Sequence, residues 1–295
     1  MASIFEIIAT PFGYILSLFY NLTDNYIIAL ILLTIAVKLL LLPITITQKK
    51  TEIRKNKLNA EINKLKEKYA DDKEKLQTEI ENIKKSENNV KKNIGCITSI
   101  LQFIILIAVF NVVCKPLTFL LSISADKIEA IQTVLTTAGE AASRNEHMAE
   151  IDLLNKIHNY KDALLTDGIL TEAEFNKIID FNDKFSFMGA DFALMPQFNE
   201  IDHQWIIPLL VLTVGCITAT YQLVKRKKAN PGTGKFTVID SIGYLPSLMS
   251  FFFSFMFPAG IGFYWAISNL TSFIQNRILS TIYSPKNQPP TSKEN

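Results

Sequence analysis

One charge stands alone in a run of apolar residues. The stretch Asn25 to Gln48, NYIIALILLTIAVKLLLLPITITQ, carries only Lys38, and an ionisable group inside a membrane-length segment is a functional-site hypothesis by default. From Ile27 to Ile44 a helix would rise about 27 Å, close to the roughly 30 Å of a bilayer's hydrocarbon core. Lys38 lies seven residues before Thr45, about 10 Å along such a helix, and Thr34 shares a face with Thr45. The chemistry available here is electrostatic: an ammonium that either snorkels to the headgroups or is solvated within the membrane, where it can attract a carboxylate.

The polar residues of the other apolar stretches bear on that choice. Thr98 and Gln102 lie four apart, as do Thr218 and Gln222; Ser247, Ser250 and Ser254 follow at i, i+3 and i+7. Tyr264, Ser268, Ser272 and Gln275 fall on one helical face. Small hydroxyl residues are common helix-packing groups in membranes, and for the three serines that is the preferred reading. No Asp or Glu is available at membrane depth to neutralise Lys38, so water is its remaining partner. Lys38, Gln102, Gln222 and Gln275 cluster by depth. The expectation is a wet, cationic cavity open to the cytoplasm.

These residues must be positioned by membrane helices. Of the 295 residues 48% are hydrophobic, twenty are phenylalanine, and the mean hydropathy is positive, which places the chain in the membrane class. The pattern predicts an interfacial helix over 1–24, a first span over 25–48, a cytoplasmic helical hairpin over 49–93, and a second span over 94–123. An acidic extracytoplasmic helical insert over 124–203 follows, then spans three to five over 204–283 and a disordered cytoplasmic tail over 284–295. The third span is Trp205 to Val224, the fourth Asp240 to Phe257, and the fifth Ile261 to Ile282, with a tight Pro258-Ala259-Gly260 turn before it. The fold class is an all-α polytopic membrane protein of five helices around a hydrophilic groove.

Charge sets the orientation. Residues 49–93 hold fourteen basic and nine acidic side chains, whereas 124–203 hold six basic and fifteen acidic. By the positive-inside rule the first segment is cytoplasmic and the second external, giving an external N-terminus and a cytoplasmic C-terminus. In 49–93 acidic residues are interleaved throughout, so a solvated helical hairpin is favoured over nucleic-acid binding. Within the insert, helices are expected over Asp126 to Leu135, Met148 to Leu165 and from a Thr171/Glu174 capping box to Phe181. Cys96, Cys114 and Cys216 have no metal spacing, and neither metal nor cofactor is implied.

Four segments, TIAVKLLLLPITITQKK, IGCITSILQFIILIAVF, WIIPLLVLTVGCITATYQ and FFFSFMFPAGIGFYWAISNLTSFIQNRI, resemble in order the core of the YidC/Oxa/Alb membrane protein insertases. The likeness runs from about Pro11 to Ile282 without the acidic insert, and the FPAG turn with Tyr264-Trp265 and Ser268-Asn269-Leu270 is its most specific part. The resemblance implies a bacterial plasma-membrane insertase without covalent chemistry. Its partners would be nascent membrane proteins and the bilayer, with the ribosome and the Sec translocon as further candidates. It also implies a cytoplasm-facing groove to which Lys38, Thr34, Gln102 and Trp265 contribute. Lys38 stands where the family has arginine, so the charge is kept and the bidentate fork is lost. The rival class is a small-solute transporter or channel, but such proteins usually show related halves and helices broken near the midplane, and no repeat is present.

Overall fold

The computed structural model describes residues 4–69, 72–87, 94–141, 148–229 and 238–283. The chain divides into two compact units, one of the chain up to Val37 with Ile105–Phe273, the other of Lys38–Ile104 with the chain from Ile274. Each is described by itself.

The larger unit begins with helix α1 (Ile4–Thr23) and the greater part of α2 (Tyr26–Leu40). It takes in the second half of α5 (Ile94–Cys114), which stops at Lys115 because Pro116 opens the short helix α6 (Pro116–Phe119). Gly13 is where α1 and α6 meet: a Cβ there would sit 2.1 Å from the Phe119 ring, so no larger residue fits without moving α6.

Among the described residues the acidic insert builds four α-helices, α7 (Ala125–Thr137), α8 (Ala149–Lys156), α9 (Lys161–Thr166) and α10 (Glu172–Lys184), and a two-stranded antiparallel hairpin, β1 (Ser186–Phe187) with β2 (Ala190–Asp191). The single helix expected from Met148 to Leu165 is interrupted by a 3-10 turn at Ile157–Tyr160. The capping box opening α10 is present: Thr171 Oγ1 accepts from the Glu174 amide at 3.2 Å, and Glu174 accepts the Thr171 N–H at 2.9 Å. Lys127 of α7 donates to the same carboxylate, and these bonds hold it well below the usual range, at about 2.

Aromatic packing fixes the insert to the helices. Tyr26, Phe181, Phe185, Phe192 and Phe263 are all fully buried. Their rings meet mostly edge to face, with centroids 5.8 Å apart for Tyr26–Phe181, 4.6 Å for Tyr26–Phe185, 5.6 Å for Phe185–Phe192 and 5.0 Å for Phe192–Phe263. Tyr20 packs on Phe181 at 5.6 Å. Each such pair adds about 0.5–1.5 kcal/mol beyond simple burial.

Helix α11 (Ile206–Ala229) follows a 3-10 turn at His203–Trp205. With that turn, His203–Lys228 is long and apolar enough to cross a membrane, and only 22% of its most apolar window is buried, unlike the core helix of a soluble protein. The stretch expected as one span from Asp240 to Phe257 is divided into α12 (Val238–Ile242) and α13 (Leu245–Phe253). Pro246 explains the break, because its ring clashes with the carbonyl four residues back, that of Ile242, and it has no N–H to donate there. α13 alone rises only about 13 Å. It packs closely on α11, where a Cβ on Gly215 would fall 2.7 Å from Ser247, so Ser247 acts as the small packing residue expected of it. The part of helix α14 (Ala259–Ile282) up to Phe273 closes the unit.

The smaller unit contains α3 (Leu42–Lys68) and α4 (Lys73–Glu87), packed together as a hairpin. Ile53, Leu58, Ile62, Leu65, Tyr69, Leu76 and Ile80 are all half-buried and none is fully buried. Asp72 accepts the Lys75 amide at 3.1 Å and so caps α4.

Candidate substrate-contact site

The helix expected to run straight from Asn25 to Gln48 is bent. α2 and α3 meet at 59°, with Leu41 between them. The cause repeats what happens at Pro246: Pro43 lies in the first turn of α3, lacks an N–H, and clashes with the carbonyl of Leu39. Lys38 therefore sits three residues before a bend, half-buried, rather than inside an unbroken rod.

Carbonyls beside a helix break are open to outside partners. The Lys38 carbonyl takes one, accepting from Gln275 Nε2 of α14 at 3.3 Å. Of the expected site residues these two are in direct contact, through the lysine backbone and not its ammonium. Among the described residues no carboxylate pairs with that ammonium. Deeper into the hairpin the basic residues do have partners: Lys49 is buried and bonded to Glu52 at 2.7 Å, and Lys50 lies over the Tyr283 ring.

The other expected residues belong to the larger unit, except Gln102, which is on the part of α5 in the smaller unit and whose side chain lies outside the described residues. Thr34 is buried and donates to the Leu30 carbonyl at 2.7 Å. Tyr264 is also buried. Trp265 is half-buried and Gln222 is exposed on α11. The hydroxyls of the polar stripes are largely satisfied by their own helices. Thr45, Thr218, Ser250 and Ser272 each donate to the carbonyl four residues back, a local bond that requires no water. The chemistry expected of the stripes therefore concentrates on Lys38 and the glutamines.

Sequence reasoning missed how the start of α14 is held. The Ala259 and Gly260 amides, first in the helix and without partners inside it, donate to the carbonyls of Leu194 at 2.8 Å and Phe192 at 3.0 Å. The acidic insert thus caps the helix that carries Tyr264 and Trp265. Gly260 permits the approach, since a Cβ would meet Phe192 at 3.2 Å, and Gly262 lets Ile207 of α11 come as close as 2.7 Å to where its Cβ would be. A glycine pair ahead of Tyr264 was the available signal.

A second missed contact is a buried carboxylate. Glu150 of α8 accepts the Thr118 amide at 2.9 Å and the Thr118 hydroxyl at 2.6 Å, and burial raises its pKa despite those bonds. On α11, Arg226 donates to Asp240 of α12, with Lys227 at 3.6 Å from the same carboxylate.

Among known proteins, a family model described as the 60Kd inner membrane protein matches residues 18–286. The chain belongs to that family. This is the YidC/Oxa1/Alb3 family of membrane protein insertases, and the match spans the acidic insert as well as the helices on either side of it. No curated protein matches the chain. Family membership and the apolar helix at 203–228 together make this a transmembrane protein of the insertase family, acting on membrane protein substrates.

Proposed function

We propose that the protein inserts nascent membrane segments through a hydrated, cationic groove, with Lys38 as its charge and Thr34, Gln102, Gln222, Tyr264, Trp265 and Gln275 contributing to it. The observation that carries this reading is Lys38 itself, a lone half-buried ammonium beside a proline bend, with no carboxylate partner among the described residues. A charge at mid-membrane costs from about 3 to more than 10 kcal/mol depending on the method. Water and a lysine at that depth reduce the cost for an acidic substrate tail as it crosses. The work is solvation and transient pairing, without covalent chemistry.

The charge asymmetry of 49–93 against 124–203 supports five spans with an external N-terminus and a cytoplasmic C-terminus in a bacterial plasma membrane. In that orientation the α3–α4 hairpin meets the emerging chain, and the ribosome and Sec translocon are its candidate partners on that side. An inside-negative potential then assists an outgoing acidic tail by about 2.3 kcal/mol per charge per 100 mV.

The test is site-specific photocrosslinking from Trp265 and Gln275 to stalled nascent chains of a single-span protein in native membranes. Adducts from both positions are expected while the substrate span is emerging. Absence of adducts from both, with crosslinks confined to exposed positions on the hairpin, overturns the groove. Solute flux through purified protein in liposomes would instead favour a channel.

A further inference from the structure

The residues between the β hairpin and α11 form an irregular segment, Phe192 to Asp202, unlike the rest of the insert. In a region with fifteen acidic residues, the run Phe192 to Ile201 (FALMPQFNEI) has a single charge, Glu200. Beyond the buried Phe192, its large apolar side chains point outward: Leu194 and Met195 are exposed, Phe198 is 59% exposed and Ile201 is 85% exposed. Met256, in the turn ahead of α14, is exposed as well.

This ridge is held at its base. The Ala193 carbonyl accepts from Asn155 Nδ2 of α8 at 3.2 Å, and the Leu194 carbonyl accepts the Ala259 amide at 2.8 Å. The polar backbone at the tip is turned inward onto Trp205, whose indole N–H donates to the carbonyls of both Gln197 and Glu200 at 2.9 Å. The Phe198 ring packs on Trp205 at 5.7 Å and on Phe255 at 5.4 Å. Asp202, the other acid at the junction, spends its carboxylate on the Gln204 amide. Gln197, Asn199 and Glu200 are exposed on the same segment, but two backbone carbonyls at its tip are satisfied from within, and the apolar surface left open beside them has a hydration cost in water.

A lipid surface accounts for this arrangement. Ile201 is five residues from the first residue of α11, whose apolar run crosses the membrane, so the ridge sits at the level where that helix enters the bilayer. A Trp-Phe cluster with a satisfied indole N–H is suited to that depth. We infer that the Leu194 to Ile201 ridge, with Met256 beside it, inserts into the bilayer interface at the N-terminal end of α11 and seats the acidic insert on the membrane. The inference rests on α11 being a span. It commits to lipid, not to a protein partner.

The test uses full-length protein in phosphatidylcholine/phosphatidylglycerol proteoliposomes. Spin labels are placed at Ile201→Cys, at Glu172→Cys on the exposed start of α10 as the aqueous reference, and at Ile217→Cys on the exposed face of α11 as the lipid reference, in a background lacking the native cysteines. The ratio of oxygen to nickel-chelate accessibility at position 201 is expected to lie near that at 217 and well above that at 172. A ratio at 201 equal to that at 172, with 217 in lipid, overturns the inference; a water-like 217 would instead overturn the span on which it rests. An Ile201→Trp variant of the native-cysteine chain gives an independent reading. Its added fluorescence is expected to be quenched by lipids brominated near the headgroup end of the acyl chain, and quenching by aqueous iodide instead refutes lipid contact.

Discussion

Replacing Lys38 by alanine provides the most direct test of the electrostatic mechanism. An ion pair at 4 Å is worth about 1 kcal/mol in bulk water and about 4 kcal/mol at the effective dielectric typical of partly buried sites. Lys38 is half-buried beside a bend, so a wet site lies between these limits, and its loss is expected to raise the barrier for an acidic tail by about 1.5–3 kcal/mol. At about 1.4 kcal/mol per factor of ten, insertion should slow by roughly tenfold to a hundredfold. The assay is the initial rate of protease protection for a single-span substrate in proteoliposomes, run with an aspartate in the translocated tail and again with asparagine at the same position. The alanine variant should be slow on the first substrate and near normal on the second, and Lys38→Arg should insert both. Equal losses on the two tails would mean that Lys38 matters for packing at the bend and not for charge. An unaffected rate on the acidic tail would remove the ammonium from the mechanism altogether.

Four further outcomes follow from the contacts described. Phe192→Ala removes a fully buried ring touching Phe185 and Phe263 and should cost about 3–5 kcal/mol, read as a lowered melting temperature in detergent. Pro43→Ala restores the amide and removes the clash with Leu39; the α2–α3 bend should open towards a straight helix, seen as a longer distance between spin labels at Ile28 and Arg54. Glu150 has a raised pKa when folded, so its penalty is absent below the unfolded value near 4.3 and grows as pH rises through the folded value; Glu150→Gln should therefore gain stability over the parent at neutral pH and lose that advantage near pH 4. Glu174 shows the opposite sign: its folded value of about 2 gives a contribution present above about 4.3 and lost as pH falls towards 2, and in Glu174→Gln that part of the acid sensitivity should vanish from a pH series of melting curves.

The chain's order of residues was enough to place the apolar helix at 203–228, because a segment solvated by lipid must be apolar along most of its length and leaves a recognisable composition. The Thr171/Glu174 cap and the singular charge at Lys38 were likewise readable, since each depends on residues within a turn or two of one another. The breaks at Pro43 and Pro246 had their cause in plain sight, yet their consequence, a 59° bend and a short α13, depends on what packs against the freed carbonyls. The capping of α14 by Phe192 and Leu194, the Glu150–Thr118 pair and the Gln275 bond to the Lys38 backbone join residues far apart in sequence. Such contacts become visible only when the chain is folded, because backbone carbonyls carry no side-chain identity and a buried hydrogen bond is chosen by geometry, not by residue type.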